Sequence, residues 1–267
     1  MKKLLVTFGC SWTWGAGCFL PPEKDINDGR GFNEEDYENF RNNYAKKLVE
    51  IHSFRARLCK KHGYENRNFS GQGSSNQRNF RLAEKYFNTD DYKNYDKVIV
   101  LWGITSTARG EFWYGDHPSI KKFKRNSYKS IQYARTDVDL ANFMRERHYN
   151  HDVEVERLGE CIKHWDKYFK FIGVENHWFD TFNHHDYPEV SDNMIGKDEK
   201  KRDLLSKLCE QEGMTVRDDS YHFSIWREDC DRIEYLLDKQ VVNQISHHPN
   251  QKGHQMIADI LDKEILW

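Results

Sequence analysis

Short apolar runs alternate with longer amphipathic segments along this chain, which is the pattern of an α/β protein. Continuous apolar residues at 3–8 and 97–102 predict buried strands of a sheet that is covered on both faces. Shorter runs at 66–70 and 177–182 predict two further strands. Apolar positions that recur every three or four residues predict helices over 44–62, 75–87, 153–173, 198–212 and 251–267.

The order of these elements predicts a single α/β/α domain that spans residues 1–267. Strands that alternate with helices pair in parallel, so helices are expected on both faces of the sheet. In such a sheet the loops at the carboxyl ends of the strands carry the chemistry. Two long, polar and weakly periodic stretches, 21–43 and 108–152, are interpreted as insertions over that edge, since long loops in compact domains are usually functional or disordered.

The composition limits how the core is filled and which partners are expected. Hydrophobic residues make up 37% of the chain and aromatic residues 14%, so Phe, Tyr and Trp must fill much of the core. The 41 basic and 43 acidic side chains give a formal net charge of -2, which does not favour a nucleic-acid partner. The basic stretch at 121–125 is interpreted as a solvated loop.

Cysteine spacing and the length of the apolar runs indicate a cellular compartment. The six cysteines lie far apart and form no Cys-x-x-Cys pair, which predicts free, buried thiols in a reducing environment. The apolar run at 3–8 is too short for a signal peptide, and no segment approaches the roughly 20 apolar residues that span a bilayer. We therefore expect a cytoplasmic protein with no membrane partner.

A serine and a histidine near opposite ends of the chain are the candidate catalytic pair. Ser11 lies in the Gly-containing turn after the first strand, where its hydroxyl can be exposed and its own N–H can help to bind an anion. His248 lies in the loop before the last helix. A serine hydroxyl needs a positioned imidazole to take its proton, so we predict Ser11 as nucleophile and His248 as base.

Two further turns follow predicted strands and complete the candidate site. The turn at 68–76 contains glycines that let the backbone approach a substrate oxygen, and its Asn76 is included among the predicted substrate-binding residues. The turn at 102–106 follows the third strand and contains Thr105. Together with Ser11 and His248, these turns supply hydrogen-bond donors around a nucleophile and its base.

The order and spacing of these turns resemble the four blocks of the SGNH, or GDSL-like, hydrolase family, and the resemblance spans the whole chain. The family's Gly-Asp-Ser block corresponds to Gly9-Cys10-Ser11, with cysteine in place of aspartate. Its second block, an Asn followed five residues later by a Gly that serves the oxyanion hole, corresponds to Asn68 and Gly73. The resemblance therefore implies that the Gly73 N–H binds the oxyanion.

The third and fourth blocks match the family with two further departures. The Gly-x-Asn-Asp block falls on residues 103–106, where Thr105 replaces the asparagine that donates to the oxyanion. Loss of one such donor costs about 3 kcal/mol of barrier stabilisation. The Asp-x-x-His-Pro block ends on His248-Pro249, but Ile245 stands in place of the aspartate that would orient the histidine.

The resemblance implies a three-layer, flavodoxin-like fold and a serine ester hydrolase that needs no metal or organic cofactor. An acyl ester, and first of all an O-acetylated carbohydrate, is the substrate class we expect. The run at 9–15 is similar to that of divergent phage and bacterial members, so a bacterial or phage-infected host cell is the expected setting. The alternative is a binding or structural protein of the same fold, such as a virion component or a carbohydrate-recognition module, since Cys10, Thr105 and Ile245 depart from the family pattern.

Other interpretations of the same catalytic positions remain open on sequence grounds. Ser11 can serve as a helix cap, which is a common role for serine. Cys10 is a rival nucleophile because thiolates are stronger nucleophiles than hydroxyls. His247 is a rival base, although the position of the proline favours His248.

Residues around the predicted site also have competing interpretations. Arg109 is expected at the pocket rim, where it would bind an anionic or carbohydrate group, or else it is a surface arginine. Tryptophans near loop ends can stack on sugars or fill the core: Trp12, Trp14, Trp102 and Trp113. Four histidines and one aspartate could suggest a metal site, but their spacings match no common metal-binding motif: His184, His185, Asp186, His247 and His254. We therefore favour scattered surface histidines.

Overall fold

The computed structural model describes residues 1–18, 46–114, 127–133, 139–182, 184–198, 203–216, 228–243 and 247–267. The strands are β1 (Lys3–Phe8), β2 (Glu65–Asn68), β3 (Lys97–Ile104), β4 (Arg109–Tyr114), β5 (Ser127–Gln132) and β6 (Glu175–Asp180). The helices of the described ranges are α1 (Ser11–Trp14), α2 (Lys46–His52), α3 (Phe54–His62), α4 (Asn76–Phe87), α5 (Asp139–Arg147), α6 (His151–Ile172), α7 (Leu204–Gln211), α8 (Glu228–Asp238) and α9 (Gln251–Glu264). A short 3₁₀ helix spans Asp91–Asn94.

Four strands form a parallel sheet in the order β2-β1-β3-β6. The first strand lies between the second and the third, so the chain leaves β1 toward one side of the sheet and later returns to its other side. A crevice opens at the carboxyl end of a strand where connections diverge in this way. The sheet order therefore identifies the turn after β1 as the place for a binding site.

Helices cover both faces of this sheet. Along β1, Leu5 faces a core that also contains α3, α7, α8 and α9, whereas Leu4, Val6 and Phe8 face a core with α4 and α6. This alternation is the period-two pattern of a strand buried on both sides. The protein is thus an α/β fold with a parallel sheet between two helical layers.

Aromatic rings fill the second of these cores, as the composition predicts. The Trp102 ring stacks on Phe8 at 4.5 Å and on Trp178 at 4.7 Å, ring centroid to ring centroid, across neighbouring strands. Trp165 of α6 lies 5.5 Å from the same Trp102 ring. Large rings therefore provide burial that aliphatic side chains provide in most parallel sheets.

The four predicted core strands are confirmed to within a few residues, but two of the predicted helices have different bounds. The helix predicted over 44–62 is interrupted at Ser53, whose extended backbone (φ -63°, ψ 152°) separates α2 from α3. The helix predicted over 198–212 begins only at 204, because the Asp203 side chain accepts a hydrogen bond from the Ser206 N–H (2.9 Å) and caps the helix there.

The stretch 108–152 contains regular structure that its weak periodicity did not predict. It includes the antiparallel hairpin of β4 and β5 and helix α5. Outside this stretch, helix α8 is also absent from the predicted elements. The hairpin is joined to α4 by a bidentate ion pair in which Arg81 Nε and Nη2 donate to Glu111 at 2.8 and 2.7 Å. The predicted insertion at 21–43 and the basic stretch at 121–125 lie outside the described residues.

The cysteines follow the prediction of free thiols, with one correction on burial. Four of them are free and buried: Cys10, Cys18, Cys59 and Cys209. Cys161 is free but exposed, since it lies on an outer position of α6, and the side chain of Cys230 lies outside the described residues. Within the described ranges, no helix combines the length and the apolar composition that crossing a bilayer requires.

A close backbone contact joins the loop after α1 to the loop before α9. A side-chain carbon at Gly17 would overlap the carbonyl oxygens of His248 and Pro249. The contact is extended by Gln251, whose Nε2 donates to the Cys18 carbonyl at 3.2 Å. The absence of a side chain at Gly17 therefore lets two segments from opposite ends of the chain meet at the sheet edge.

Replacing Gly17 with alanine should destabilise the protein by about 1 to 3 kcal/mol, because the added methyl group forces the two loops apart. Chemical denaturation followed by far-UV circular dichroism measures this change. Gly159→Ala is the matched control: the site is inside α6, an added carbon there meets its nearest neighbour at 3.6 Å, and alanine favours helix. Equal stability of the Gly17→Ala and Gly159→Ala proteins would contradict this account of the loop contact.

Candidate active site

Ser11 occupies the first position of α1, directly beyond the end of the central strand. Cys10 precedes it with an extended backbone (φ -93°, ψ -160°) and is the N-cap of that helix. The Cys10 side chain is fully buried in the core, whereas the Ser11 side chain points to the crevice and is 8% exposed. The two neighbouring side chains thus point in different directions, and Ser11 is inside the helix rather than its cap.

The loop that carries His248 is fixed by backbone hydrogen bonds on both sides of the histidine. The Asn243 N–H donates to the His248 carbonyl at 2.8 Å, and the Asn250 N–H donates to the Val241 carbonyl at 3.0 Å. The Asn250 side chain accepts from the Gly253 N–H at 3.1 Å and caps α9. This capped start of the last helix holds His248 at one position against the sheet edge.

The hydroxyl of Ser11 and the imidazole of His248 form a direct hydrogen bond. Ser11 Oγ lies 2.6 Å from His248 Nε2, inside the range of about 2.6 to 3.2 Å expected for a nucleophile and its base. The rival histidine, His247, is exposed and has a left-handed backbone (φ 52°). The geometry therefore joins Ser11 to His248 and places His247 on the surface.

The loop that contains Gly73 lies beside the turn of Ser11. The Phe69 N–H donates to the Thr7 carbonyl at 2.8 Å, and the Gly71 N–H donates to the Gly9 carbonyl at 3.1 Å. Gly73 has a left-handed backbone (φ 66°), and no atom lies within 4 Å of the position that a side-chain carbon would take there. This backbone conformation favours glycine, and it leaves open space next to the Gly73 backbone.

Asn68 shapes the beginning of the same loop. Its Oδ1 accepts hydrogen bonds from the Thr7 hydroxyl at 2.8 Å and from the Ser70 N–H at 3.1 Å. The side chain is thus used to fold the loop against β1.

Asn76 clamps the loop of Gly73 to the loop after β3. Its Nδ2 donates to the Thr105 carbonyl at 2.8 Å, and its Oδ1 accepts from the Thr105 N–H at 3.0 Å. Both functional groups of this amide are therefore engaged by the Thr105 peptide. A contact between Asn76 and substrate stays a prediction, and what the geometry provides is a rigid link between two loops of the site.

The hydroxyl of Thr105 is buried against the protein rather than directed into open space. Thr105 is 1% exposed, and its Oγ1 has no hydrogen-bond partner among the described residues. A hydroxyl in this position would have to turn toward the crevice before it could donate to an oxyanion. The predicted role of Thr105 as a donor stays a prediction.

Arg109 lies at the same edge of the sheet, at the start of β4. Its guanidinium carbon lies 5.3 Å from the centre of the Phe182 ring, and that ring packs edge-on against Trp12 at 6.0 Å. Burial lowers the pKa of Arg109, and the Cys10 thiol has a smaller, opposite effect. The guanidinium is thus linked to the turn of Ser11 through the Phe182 ring, which packs on Trp12.

Of the four tryptophans considered for ligand stacking, two are core residues. Trp12 is 5% exposed and packs with the helices of one core, and Trp102 is 1% exposed in the other. Trp14 is half-buried, and the side chain of Trp113 lies outside the described residues. Core filling therefore explains Trp12 and Trp102.

The histidines considered for a metal site are separately engaged. His185 is 1% exposed, and its Nδ1 lies 2.9 Å from Asp180 Oδ1, while His184 lies 3.3 Å from Asp186. His254 is buried under α3 and His247 is exposed. Within the described ranges, no group of three or more histidine, cysteine or acidic side chains is arranged to hold a metal ion.

A second histidine, His254, lies in α9, beneath the loop that carries His248. It is fully buried, its Nδ1 accepts a hydrogen bond from the Phe54 N–H at 3.4 Å, and its ring stacks on Phe54. Burial, together with the smaller effect of the charges of Arg55, Arg57 and His248, lowers the pKa of His254 to about 3. His254 is therefore neutral at physiological pH.

Two residues that hold the site together were missed from the sequence. Gly17 and His254 have no sequence motif around them, because their roles depend on contacts with segments 200 or more positions away. Asn76 is a predicted substrate-binding residue, but its two hydrogen bonds with Thr105 depend on a tertiary contact between two loops. Ser75, which caps α4, is a local sequence signal that the loop of Gly73 ends at this position.

A scan of the sequence against protein-family models finds no matching family, and a search of curated proteins finds no similar protein.

Acid should destabilise the protein partly through His254. Its pKa is near 6.5 in the unfolded chain and about 3 in the folded protein, so the unfolded chain binds a proton that the folded protein excludes. This contribution to stability is complete above about pH 6.5 and is lost as the pH falls toward 3. At pH 4.5 the loss should be about 2 to 3 kcal/mol.

His254→Asn tests this, because asparagine keeps an acceptor for the Phe54 N–H and does not titrate. Free energies of unfolding at pH 7 and pH 4.5 are compared for both proteins. The variant should lose less stability between these pH values than the wild type. Equal losses would exclude His254 as a source of the acid sensitivity.

Proposed function

We propose that this chain is a serine ester hydrolase of the SGNH type, with Ser11 as nucleophile and His248 as general base. The observation that supports this most strongly is the 2.6 Å hydrogen bond between Ser11 Oγ and His248 Nε2 at the carboxyl end of the central strand. A serine and an imidazole at this distance are suited to proton transfer during attack on a carbonyl.

The proposed reaction passes through an acyl-enzyme. Ser11 Oγ attacks the ester carbonyl carbon while His248 Nε2 takes the hydroxyl proton. The tetrahedral intermediate collapses, the alkoxide leaves with the proton from His248, and an acyl group remains on Ser11. Water, deprotonated by His248, then attacks the acyl carbon. His248 returns the proton to Ser11 Oγ as the bond between Oγ and the acyl carbon breaks, and the carboxylic acid is released.

Backbone N–H groups would hold the negative charge of the intermediate. Trp14 is the first residue of α1 whose N–H donates a hydrogen bond within the helix, to the Cys10 carbonyl at 2.9 Å. The N–H groups at the start of α1, that of Ser11 included, therefore have no acceptor within the helix. Gly73 supplies the second proposed donor, from a loop bonded to the turn of Ser11.

The topology supports the SGNH type. The order β2-β1-β3-β6 corresponds to the first four strands of a flavodoxin-like sheet, which is the fold that the sequence resemblance implies. The four motif blocks also lie in the same chain order as in that family. Because no family model matches the chain, membership of this family is part of the proposal.

An acyl ester is the proposed substrate class, with O-acetylated carbohydrate as the first example to test. Ser11 is 8% exposed, the backbone of Gly73 adjoins open space, and Arg109 is half-buried, and these are polar groups suited to a hydroxylated substrate. No cofactor is part of this proposal. A cytoplasmic setting in a bacterial or phage-infected cell remains our expectation.

A binding or structural protein of the same fold is the second candidate, and one observation favours it. The Thr105 hydroxyl is buried without a partner in the described ranges, so the third oxyanion donor of the family is not directed into the crevice. Ile245, at the position of the family's aspartate, lies outside the described residues. Weak turnover, with carbohydrate recognition or a virion role retained, would follow from a missing donor and a missing acid.

Ser11→Ala should abolish hydrolysis of 4-nitrophenyl acetate and labelling by a fluorophosphonate probe. Removal of a nucleophile that acts with a base lowers kcat/KM by at least about 100-fold. His248→Asn should lower the hydrolysis rate to a similar extent, because it removes the base but leaves Ser11 in place.

Two control variants separate this result from general damage. Ser53→Ala removes a buried hydroxyl that has no partner among the described residues, and Cys10→Ala removes the rival nucleophile. Both should keep the labelling of the wild type. Labelling of Ser11→Ala equal to that of the wild type would exclude the hydrolase and leave the binding protein.

A further inference from the structure

We propose that Arg109 forms an anion subsite next to Ser11, so that the ester recognised by this site carries a carboxylate. This inference rests on the proposed hydrolase function and names its substrate class. The carboxylate would pair with the guanidinium while the ester carbonyl lies at Ser11 Oγ.

The position of Arg109 supports a subsite that adjoins the nucleophile. The guanidinium lies over the Phe182 ring at 5.3 Å, and that ring packs on Trp12, which directly follows Ser11. On the other side, the Cys10 thiol is near enough to influence the ionisation of Arg109. The flat face of Phe182 supports the guanidinium, and Arg109 as a whole is only half-buried, so a ligand can approach the part of the side chain that is accessible.

Two of the nitrogen atoms of Arg109 are buried and have no acceptor. Nε and Nη1 are inaccessible to solvent, and neither donates a hydrogen bond in the described part of the protein. A buried guanidinium without an anion is strongly unfavourable, because it has lost its hydration without gaining a counter-charge. The site therefore has a strong electrostatic preference for a negatively charged ligand.

Other partly or fully buried arginines in the described ranges have protein acceptors. Arg81 forms a bidentate pair with Glu111, Arg232 Nη1 lies 3.3 Å from Asp203, and Arg55 Nη2 donates to the Trp14 carbonyl at 3.3 Å. In these ranges Arg109 Nε and Nη1 have no acceptor, whereas in Arg55 only the Nε is without one. The difference is what we expect of a residue whose partner is a ligand.

The charge balance favours a monoanion. Arg109 is the only cation that these observations place at the subsite within the described residues, and one guanidinium neutralises one negative charge. A phosphate dianion would leave an uncompensated buried charge. A carboxylate has the single charge and the planar shape that a guanidinium binds.

Matched pairs of esters test the proposal by activity. The charged ester 4-acetoxybenzoate and its neutral amide, 4-acetoxybenzamide, place the charge on the alcohol side. The 4-nitrophenyl monoester of glutaric acid and its terminal amide place it on the acyl side. We expect kcat/KM of the wild type to be higher for the charged member of at least one pair.

Arg109→Met removes the charge and keeps the apolar stem, and Arg109→Lys keeps the charge without the planar group. Arg109→Met should lower kcat/KM for the preferred charged ester by about 10- to 100-fold, since a hydrogen bond to a charged group contributes that much. Hydrolysis of the neutral amide should change by less than about twofold. An equal loss on both esters would overturn the proposal and would make Arg109 an oxyanion donor or a structural residue.

Binding measurements separate this inference from the proposed hydrolase. In the Ser11→Ala protein, 4-acetoxybenzoate or the glutarate monoester should raise the melting temperature, and the matched amide should not. The additional Arg109→Met substitution should remove this increase. Without ligand, Arg109→Met should melt at the same temperature as the parent or higher, because an unpaired buried charge has been removed.

Each result has one interpretation. Arg109-dependent stabilisation by the charged ligands, without Ser11-dependent turnover, would retain the anion subsite and exclude the hydrolase. Ser11-dependent turnover with no preference for the charged esters and no stabilisation by them would retain the hydrolase and exclude the anion subsite. A lower melting temperature of unliganded Arg109→Met would assign the arginine a structural role and overturn the proposal.

Discussion

Ser11 and His248 lie 237 positions apart in the chain, and their hydrogen bond depends on a backbone contact between the loops that carry them. Gly17 touches the carbonyl groups of His248 and Pro249, and this contact brings the final loop to the first turn. Asn250 then fixes the loop by capping the last helix. The site therefore exists because the first and last elements of the fold pack on the same edge of the sheet.

Several hydrogen bonds fix the surroundings of this pair. Asn76 links the peptide of Thr105 to the loop of Gly73, and the neutral, buried His254 supports the start of α9 from below. A rigid surround keeps donors at fixed distances from a reacting group, which is the condition for electrostatic stabilisation of a transition state. Arg109 differs from these residues, because its buried donors have no protein acceptor in the described ranges.

Much of the fold can be predicted from the sequence because the core strands are continuous apolar runs. β1 and β3 were placed correctly, since few other structures bury an uninterrupted run such as Val98 to Leu101. The hairpin of β4 and β5 could not be found in this way, because neither of its strands is a continuous apolar run. The pairing of Ser11 with His248 was predictable from turns after strands, whereas the roles of Gly17 and Asn76 depend on which loops become neighbours.

The wide separation of the two proposed catalytic residues has a consequence for biosynthesis. Ser11 leaves the ribosome 237 positions before His248, so the sheet around β1 can begin to form long before residue 248 has been made. The pair can assemble only when the last helix has left the exit tunnel and docked beside α3, so a partly synthesised chain has a nucleophile position but no base. The hydrogen bond between Ser11 and His248 can thus form only after the sheet around β1 and the helix behind His248 have both been made.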